Sequence, residues 1–452
     1  MDKDIRINLP DDVKYIIEQL TAAGYEAYAV GGCVRDSVLG RTPKDWDITT
    51  SAEPLEVKKL FRRTVDTGIK HGTVTVMMKS EGYEVTTYRI DGTYSDHRRP
   101  EFVSFTRELS EDLLRRDFTI NAMAYNEETG LVDLYDGMGD IERRVIRCVG
   151  NPDERFDEDA LRIMRAVRFA AELDFDIDEA TRKAATDHAP ELSAVSAERI
   201  ETELTKLIMS DHPEKLMDAY KMGITKVILP EFDRMAETPQ NPPYHAYDVA
   251  GHTIEVIRNI PKTKTLRYTA LLHDSGKPDC RTTDASGRDH FKGHAVVSEG
   301  IAETVMRRLK MDNDTIRDVK KLVYWHDYGI KGDLKITTFR KGLSQLGIEY
   351  FDRLVEIKRA DIAGQSDYGR QESLDTLDKL IVMRDKIVAD GDCLTIKELA
   401  INGGDLKSLG ITPGPEMGEI LKTLLSEVLG TPSRNTKEQL MKRAAQLMNK
   451  TE

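Results

Sequence analysis

Asp45 and Asp47 flank Trp46, and just upstream stand Gly31-Gly32 and Arg35, all within the run GGCVRDSVLGRTPKDWDI. In an extended segment, residues two apart point to one side. Asp45 and Asp47 therefore present paired oxygen ligands suited to Mg²⁺. Glu84, in YEVTTYRI on a neighbouring predicted strand, is a candidate third carboxylate. Two ions so held activate an attacking hydroxyl and stabilise a departing pyrophosphate. A glycine pair opening a helix turns backbone N–H groups toward an anion, and Arg35 can clamp a phosphate bidentately. An isolated D-x-D is more often a solvated loop pair. The glycine turn and Arg35 favour a nucleoside triphosphate site beside a two-metal site, which is the arrangement nucleotidyl transfer needs.

A second group of reactive side chains lies downstream. His252 opens HTIEVI, His273-Asp274 closes YTALLHDSGK, and Asp361 lies in KRADIAG. His294 in FKGHAVVSEG and His326 in YWHDYG fall between them, and Lys277 follows the His-Asp pair by one turn, placed to meet a phosphate. His245 and His290 receive no role. A lone buried His-Asp pair is more often structural, but six of the ten histidines of the chain lie between residues 245 and 326.

The elements that must position these groups follow from periodicity. Residues 12–22 read as an amphipathic helix, EAYAV (26–30) as a strand running into the glycine pair, and a short helix follows from Arg35. WDITT (46–50), TVTVMM (73–78) and YEVTTYRI (83–90) read as strands, and PLEVKKLF (54–61) as a helix. From residue 141 onward almost every segment has helical periodicity, and the proline-rich EFDRMAETPQNPPYH (231–245) is the clearest linker. The fold class is an α/β head, a small mixed sheet with helices, followed by a largely α-helical remainder. The expected division is a head at 1–147, a helical neck at 148–225, a third domain at 226–368 and a helical tail at 369–452.

At 452 residues the chain is too long for one ordinary core. Its four cysteines are scattered and form no C-x-x-C pair, which favours a reducing compartment. The polar N-terminus lacks the apolar core of a signal peptide, and no apolar run is long enough for a membrane span. A cytoplasmic location is the expectation. The net charge of −13 counts against a nucleic-acid partner by itself. Arginine nevertheless gathers in HRRPEF, LLRRDF, ERRVIR and RIMRAVRF, so a local basic groove stays open.

GG-x-VRD followed by DWDI resembles the signature of the class II tRNA nucleotidyltransferase and bacterial poly(A) polymerase superfamily. The likeness continues in order through about the first 210 residues of the chain. DGTYSDHRRPEFVSF (91–105) is similar to the family's flexible loop, RRDFTINAMAY (115–125) to its second motif, RFDEDALRIMRAVRF (155–169) to its base-reading motif, and AERIETELTKLI (197–208) to the helix that follows. The resemblance implies template-independent addition of C, C and A to the 3′ end of tRNA, at its acceptor/T arm, from CTP and ATP with two Mg²⁺ ions. It places Arg116, Asp117 and Asn121 along ribose and phosphates. Poly(A) polymerase is the main alternative; a CC-adding enzyme, or an RNA-end phosphohydrolase with a binding-only head, is less favoured.

Base choice has a chemical reading as well. EDALRIMRAVRFA (158–170) is expected to form a continuous helix with Ile163, Ala166, Val167 and Ala170 toward the core and Glu158, Arg162, Arg165 and Arg168 opposite. Cytosine and adenine both present an amino donor beside a ring-nitrogen acceptor. A carboxylate accepts from the amino group and a guanidinium donates to the nitrogen, so Asp159 with Arg162 selects C and A. The bland account of that pair is an i, i+3 salt bridge. Arg165 and Arg168 complete the candidate nucleotide-binding set, with Arg165 the next candidate for base selection.

The downstream pattern resembles the HD phosphohydrolase superfamily. That resemblance implies a divalent metal, Mg²⁺, Mn²⁺, Ni²⁺ or Co²⁺, bound by His252, His273, Asp274 and Asp361. His294 and His326 match the additional histidines of fuller members. Relatives of this kind occur as monomers and homodimers, and both remain open.

Overall fold

EAYAV ends against the glycine pair, and its residues Ala27–Val30 form the fully buried strand β1. The computed structural model describes residues 5–92, 103–241, 246–329 and 334–448. Most of the loop-like segment 91–105 and His245 lie outside those residues. The chain divides into two compact units, residues 1–230 and 231–452.

In the first unit, β1 is joined by β2 (Asp47–Thr50), β3 (Thr64–Gly68), β4 (Thr73–Met78), β5 (Glu81–Thr87), β6 (Arg89–Asp91), β7 (Val103–Phe105), β8 (Met123–Asn126) and β9 (Gly130–Asp133). Seven of them make one sheet in the order β3-β4-β5-β2-β1-β8-β9, while β6 pairs with β7 apart from it. β2 runs antiparallel to β1 and parallel to β5, so the sheet is mixed as expected. The helix Asp11–Ala22 buries Val13, Ile16, Ile17 and Leu20 against it, the spacing of one amphipathic face.

Gly31 has φ +82, a backbone state that glycine enters without steric cost. It lets β1 turn directly into the helix Gly32–Val38, which therefore starts ahead of the expected Arg35. RRDFTINAMAY, which by its sequence reads as the start of a helix with a basic end, does not open one. Leu109–Leu114 is helical, Thr119–Asn121 makes a 3₁₀ turn, and β8 follows at once.

The expected continuous helix around the base-reading motif is broken. One helix spans Pro152–Glu158 and a second Leu161–Leu173, with Asp159 between them at φ −149, ψ 100. The Asp159 Oδ1 accepts from the Leu161 N–H at 3.1 Å. A short acidic side chain competes in this way for helical N–H groups and favours caps over helix interiors. Ile163, Ala166, Val167 and Ala170 are buried as expected. Arg168 is buried too, because Glu203 on the helix Ala197–Met209 reaches it.

The second unit is helical. Part of the expected linker is itself a helix, Pro230–Ala236, begun by a proline whose φ suits the first turn and held by buried Phe232 and Met235. Val249–Asn259, Lys264–Leu272, His294–Arg308, Asn313–Trp325 and Ile348–Gly364 follow. Towards the C-terminus, Leu406, Leu424, Val428, Leu440 and Ala444 form a separate small core. No helix among the described residues is long and apolar enough to cross a membrane.

Candidate active site and candidate metal centre

Strand register brings the head residues together. Asp47 opens β2 and pairs with Glu84 of β5 in parallel register and with Val30 of β1. Residues in direct parallel register face the same side, so the two carboxylates are neighbours. The Gly31 turn follows Val30 at the same end of the sheet, and its N–H donates to the Met123 carbonyl at 3.2 Å. Asp45 precedes β2 and is exposed, as are Asp47 and Glu84. Their ligating atoms are more widely spaced than those of the second unit. Among the described residues, the groups of three within 4.8 Å of one another all lie there.

Although Asp47 reaches solvent, crowding by protein atoms raises its carboxyl pKa; Arg116 opposes the shift and Glu84 and Asp45 add to it. Three acids whose charges disfavour one another form a site that a divalent cation relieves. A Cβ on Gly31 would stand 3.2 Å from Arg116 Nη1, so the glycine also makes room for that guanidinium. Arg116 in turn donates to Asp112 at 3.1 Å. Asp112 is fully buried and accepts from Arg115 (2.7 Å) and from Thr49 of β2 (3.1 Å). Burial alone would raise the Asp112 pKa, but the two arginines hold it below the ordinary value.

Buried Arg35, Asn121 and Asp117 form one chain with half-buried Arg165. Arg35 donates from Nη1 to Asn121 Oδ1 at 2.7 Å, and from Nε and Nη2 to Asp36 Oδ1 at 2.9 and 2.7 Å. Asn121 donates to Asp117 Oδ1 at 3.1 Å, and Arg165 Nε to Asp117 Oδ2 at 2.8 Å. Arg35 is thus braced on two sides by protein groups and lies against the Gly32 backbone. Despite burial, Asp117 is held far below the ordinary carboxylate range by Arg165 and Asn121.

The side chains of Asp159 and Arg162 do not pair with each other; the Arg162 N–H donates to the Asp159 carbonyl at 2.9 Å. Asp159 Oδ2 accepts from Arg199 at 2.7 Å, while Arg162 binds Glu158 and donates to the carbonyls of Arg155 (3.0 Å) and Arg115 (2.9 Å). Arg168 forms an ion pair with Glu203 at 2.5 Å, at an angle short of a hydrogen bond, and donates to Glu172 at 2.7 Å. Asp112, Glu158, Arg199 and Glu203 are absent from the sequence-derived set. Only Asp112 and Glu158 carried a local cue, standing three or four residues before the arginines they bind.

In the second unit, four histidines converge through one device. Nδ1 of His273, His294 and His326 faces the carbonyl three residues back, Ala270, Phe291 and Val323, at 2.7, 2.8 and 2.6 Å. Nδ1 of His252 faces the Gly364 carbonyl at 3.1 Å. A Cβ on Gly364 would come 3.2 Å from that nitrogen, so only glycine permits the approach freely. Donation from Nδ1 fixes the tautomer and leaves each Nε2 as a lone-pair atom.

Those Nε2 atoms surround two carboxylates. Asp274 Oδ2 lies 3.2 Å from His273 Nε2 and 3.6 Å from His252 Nε2; Asp274 Oδ1 lies 3.3 Å from His294 and 3.6 Å from His326. Asp361 Oδ1 lies 2.9 Å from His252 Nε2. Two ligand triads therefore share Asp274. Lys277 stands 2.7 Å from Asp274 Oδ2 and donates to Gln240 at 2.7 Å.

Buried His273 Nε2 and Asp274 Oδ2 make no well-angled hydrogen bond, and the His294 and His326 Nε2 atoms face each other at 3.0 Å. Buried imidazole lone pairs with no donor, beside a carboxylate held by Lys277 at 2.7 Å, make a donor set suited to a metal. The residues fit such an ion. Burial would raise the Asp274 carboxyl, yet His273 and Lys277 hold it well below the usual range. For His273 burial is outweighed by Asp274, and its pKa rises. Four of the six ligand candidates, Asp274, His294, His326 and Asp361, border a cavity of about 1270 Å³ with Lys277, Arg288 and Lys292.

Residues 27–147 match the poly A polymerase head domain, 174–235 the RNA and SrmB-binding site of polymerase A, and 294–444 the tRNA nucleotidyltransferase domain 2. The CCA-adding enzyme of Levilactobacillus brevis is 36% identical over 96% of this chain and 98% of its own length. A crystal structure of the Bacillus stearothermophilus CCA-adding enzyme in complex with CTP superimposes with a TM-score of 0.68 at 30% identity, covering 97% of this chain and 96% of that one. The Thermotoga maritima CCA-adding enzyme complexed with tRNA-CCA shares the fold, with a TM-score of 0.61 at 21% identity over 97% of this chain and 95% of that one.

Proposed function

The chain belongs to the CCA-adding enzymes, and from that premise we propose how its residues carry the reaction and what the second unit adds. The reaction is template-independent addition of C, C and A to the 3′ end of tRNA from CTP and ATP. Asp45 and Asp47, with Glu84 beside them, are the residues that would hold two Mg²⁺ ions. Such ions supply activation of the tRNA 3′-hydroxyl and neutralisation of the leaving pyrophosphate. The Gly31-Gly32 backbone, Arg35 and Arg116 receive the triphosphate, and Arg165 and Arg168 complete the nucleotide-binding set. Asp117 and Asn121 align the ribose side. Asp159 accepts from the amino group of C or A, and Arg162 donates to the ring nitrogen.

The observation that carries this reading is the register that sets Asp47 opposite Glu84 at the sheet end where Gly31 turns. The test is incubation with tRNA lacking CCA and each nucleotide singly or paired. CTP with ATP should give one product extended by CCA. A growing ladder with ATP alone would establish poly(A) polymerase instead, and two additions without A would indicate a CC-adding enzyme.

The second unit is a separate phosphohydrolase. His252, His273, Asp274 and Asp361, with His294 and His326, hold a divalent metal, Mg²⁺, Mn²⁺, Ni²⁺ or Co²⁺. Its substrate is a terminal or 2′,3′-cyclic phosphate at an RNA 3′ end, which blocks the hydroxyl the head needs. Lys277, at the cavity wall, meets the phosphate. The boundaries 1–147, 148–225, 226–368 and 369–452 and a cytoplasmic setting belong to the same reading; the four free cysteines support the latter.

A further inference from the structure

Phe169 carries no reactive group, yet three guanidiniums gather over its ring. Arg168 stands 3.7 Å from the ring centroid, Arg35 4.9 Å and Arg165 5.3 Å. The ring is 4% exposed. Buried Phe118 meets it edge to face, centroids 5.8 Å apart and planes at 82°. Phe118 directly follows Asp117, whose Oδ1 also accepts from the Phe118 N–H at 2.8 Å.

These contacts close a circuit. The hydrogen-bonded chain runs from Arg35 through Asn121 and Asp117 to Arg165. Both of its ends lie over Phe169. Each guanidinium also has a carboxylate: Asp36 for Arg35, Asp117 for Arg165, Glu172 and Glu203 for Arg168. A carboxylate fixes one edge of a guanidinium, whereas an aromatic face fixes its plane. Attraction to the ring quadrupole is strongest where water is excluded. A leucine would fill much of the same space and lack that face.

We propose that Phe169 is a positioning residue for nucleotide addition. Its π face holds Arg35 and Arg165 in the planes from which they meet the incoming nucleotide, and so links the glycine turn to the base-reading helix. This rests on the reading of Arg35 and Arg165 as nucleotide contacts. A merely structural ring would affect stability alone. A positioning ring acts on the Michaelis constants of CTP and ATP in proportion to its electron density.

The test uses the full chain with Phe169→Leu, and with Phe169 replaced by mono-, di- and trifluorinated phenylalanine, which drain the π face at nearly constant shape. KM and kcat for CTP and ATP are measured on tRNA lacking CCA, with thermal unfolding alongside. Phe169→Leu should raise KM about tenfold, with a smaller fall in kcat. The fluorinated series should raise KM stepwise at a temperature well below the unfolding midpoint of every variant. Wild-type KM throughout the fluorinated series overturns the inference, even if the leucine variant fails to fold. Wild-type KM in a folded leucine variant overturns it as well. No addition of C or A by the unmodified chain overturns the underlying reading, and this inference with it, before any variant is compared.

Discussion

Asp47 and Glu84 are direct partners across the parallel pairing of β2 and β5, and Asp45 adds a third negative charge to the same place. Replacing Asp47 or Asp45 by Asn should leave the fold intact and reduce nucleotide addition by several orders of magnitude, since the charge that would clamp the metal ions is lost. Single-turnover extension of tRNA lacking CCA measures this. Near wild-type rates in either folded variant would remove the pair from the active site.

The same carboxyl makes a prediction about pH with a definite sign. Crowding raises the Asp47 pKa in the folded protein above its unfolded value. The folded state therefore holds the proton more tightly and loses stability as pH rises through the folded pKa. At neutral pH, without Mg²⁺, Asp47→Asn should unfold at a higher temperature than wild type. The difference should vanish below about pH 3, where the carboxyl is protonated in both states. Mg²⁺ should stabilise the wild type more than the variant. Parallel melting curves at all pH values would contradict the crowded site.

How much of this was legible beforehand depends on where the information lies. Asp45, Asp47 and the glycine turn sit in one short motif whose spacing is legible, whereas the histidines, far apart along the chain, are grouped by their resemblance to the HD pattern. The braces do not. Nothing marks Arg199 as the partner of Asp159, or Glu203 as the partner of Arg168, because each comes from a distant helix and looks like any other surface charge. The helix break at Asp159 was hidden for a related reason. Apolar periodicity runs through it unchanged, and only the capping bond to Leu161 interrupts the backbone. Arg168 was misplaced on a solvated face because periodicity assigns faces without saying what covers them.

The shared Asp274 predicts a hierarchy among metal-site variants. Its two oxygens serve different histidine pairs. Asp274→Ala should abolish bound Co²⁺ or Ni²⁺, whereas His294→Ala or His252→Ala should each remove only part of it. Metal content by mass spectrometry, after chelation and reloading, reads this directly. Hydrolysis of a 2′,3′-cyclic phosphate should fall with Asp274→Ala and with His273→Ala. CCA addition to an intact tRNA end should survive both. Full metal content in Asp274→Ala, or no hydrolysis by the reloaded wild type with any of the four ions, would reduce the cluster to a structural role.

The last prediction concerns base choice, where the braces matter most. Asp159 spends one oxygen on the Leu161 N–H and points the other at Arg199 at 2.7 Å. A carboxylate has lone pairs to spare, so these bonds orient it without filling it. Arg162 is likewise held, by Glu158 and by the Arg155 and Arg115 carbonyls. A hydrogen-bonding site built this rigidly rejects a mismatched base because its polar groups are then left unpaired. Asp159→Ala and Arg162→Ala should each weaken selection against UTP and GTP by about 10- to 100-fold. Arg199→Ala should relax selection in the same direction by a smaller factor, because the acceptor remains but is no longer aimed. Rates should fall as well, since a loosely held nucleotide reaches in-line geometry less often. Sequencing the residues added to tRNA lacking CCA scores all three variants together. If Asp159→Ala and Arg162→Ala still add only C and A, the selecting groups lie elsewhere on the same helix, with Arg165 the next candidate. Altered selection in those two but not in Arg199→Ala would confine Arg199 to packing the helices together.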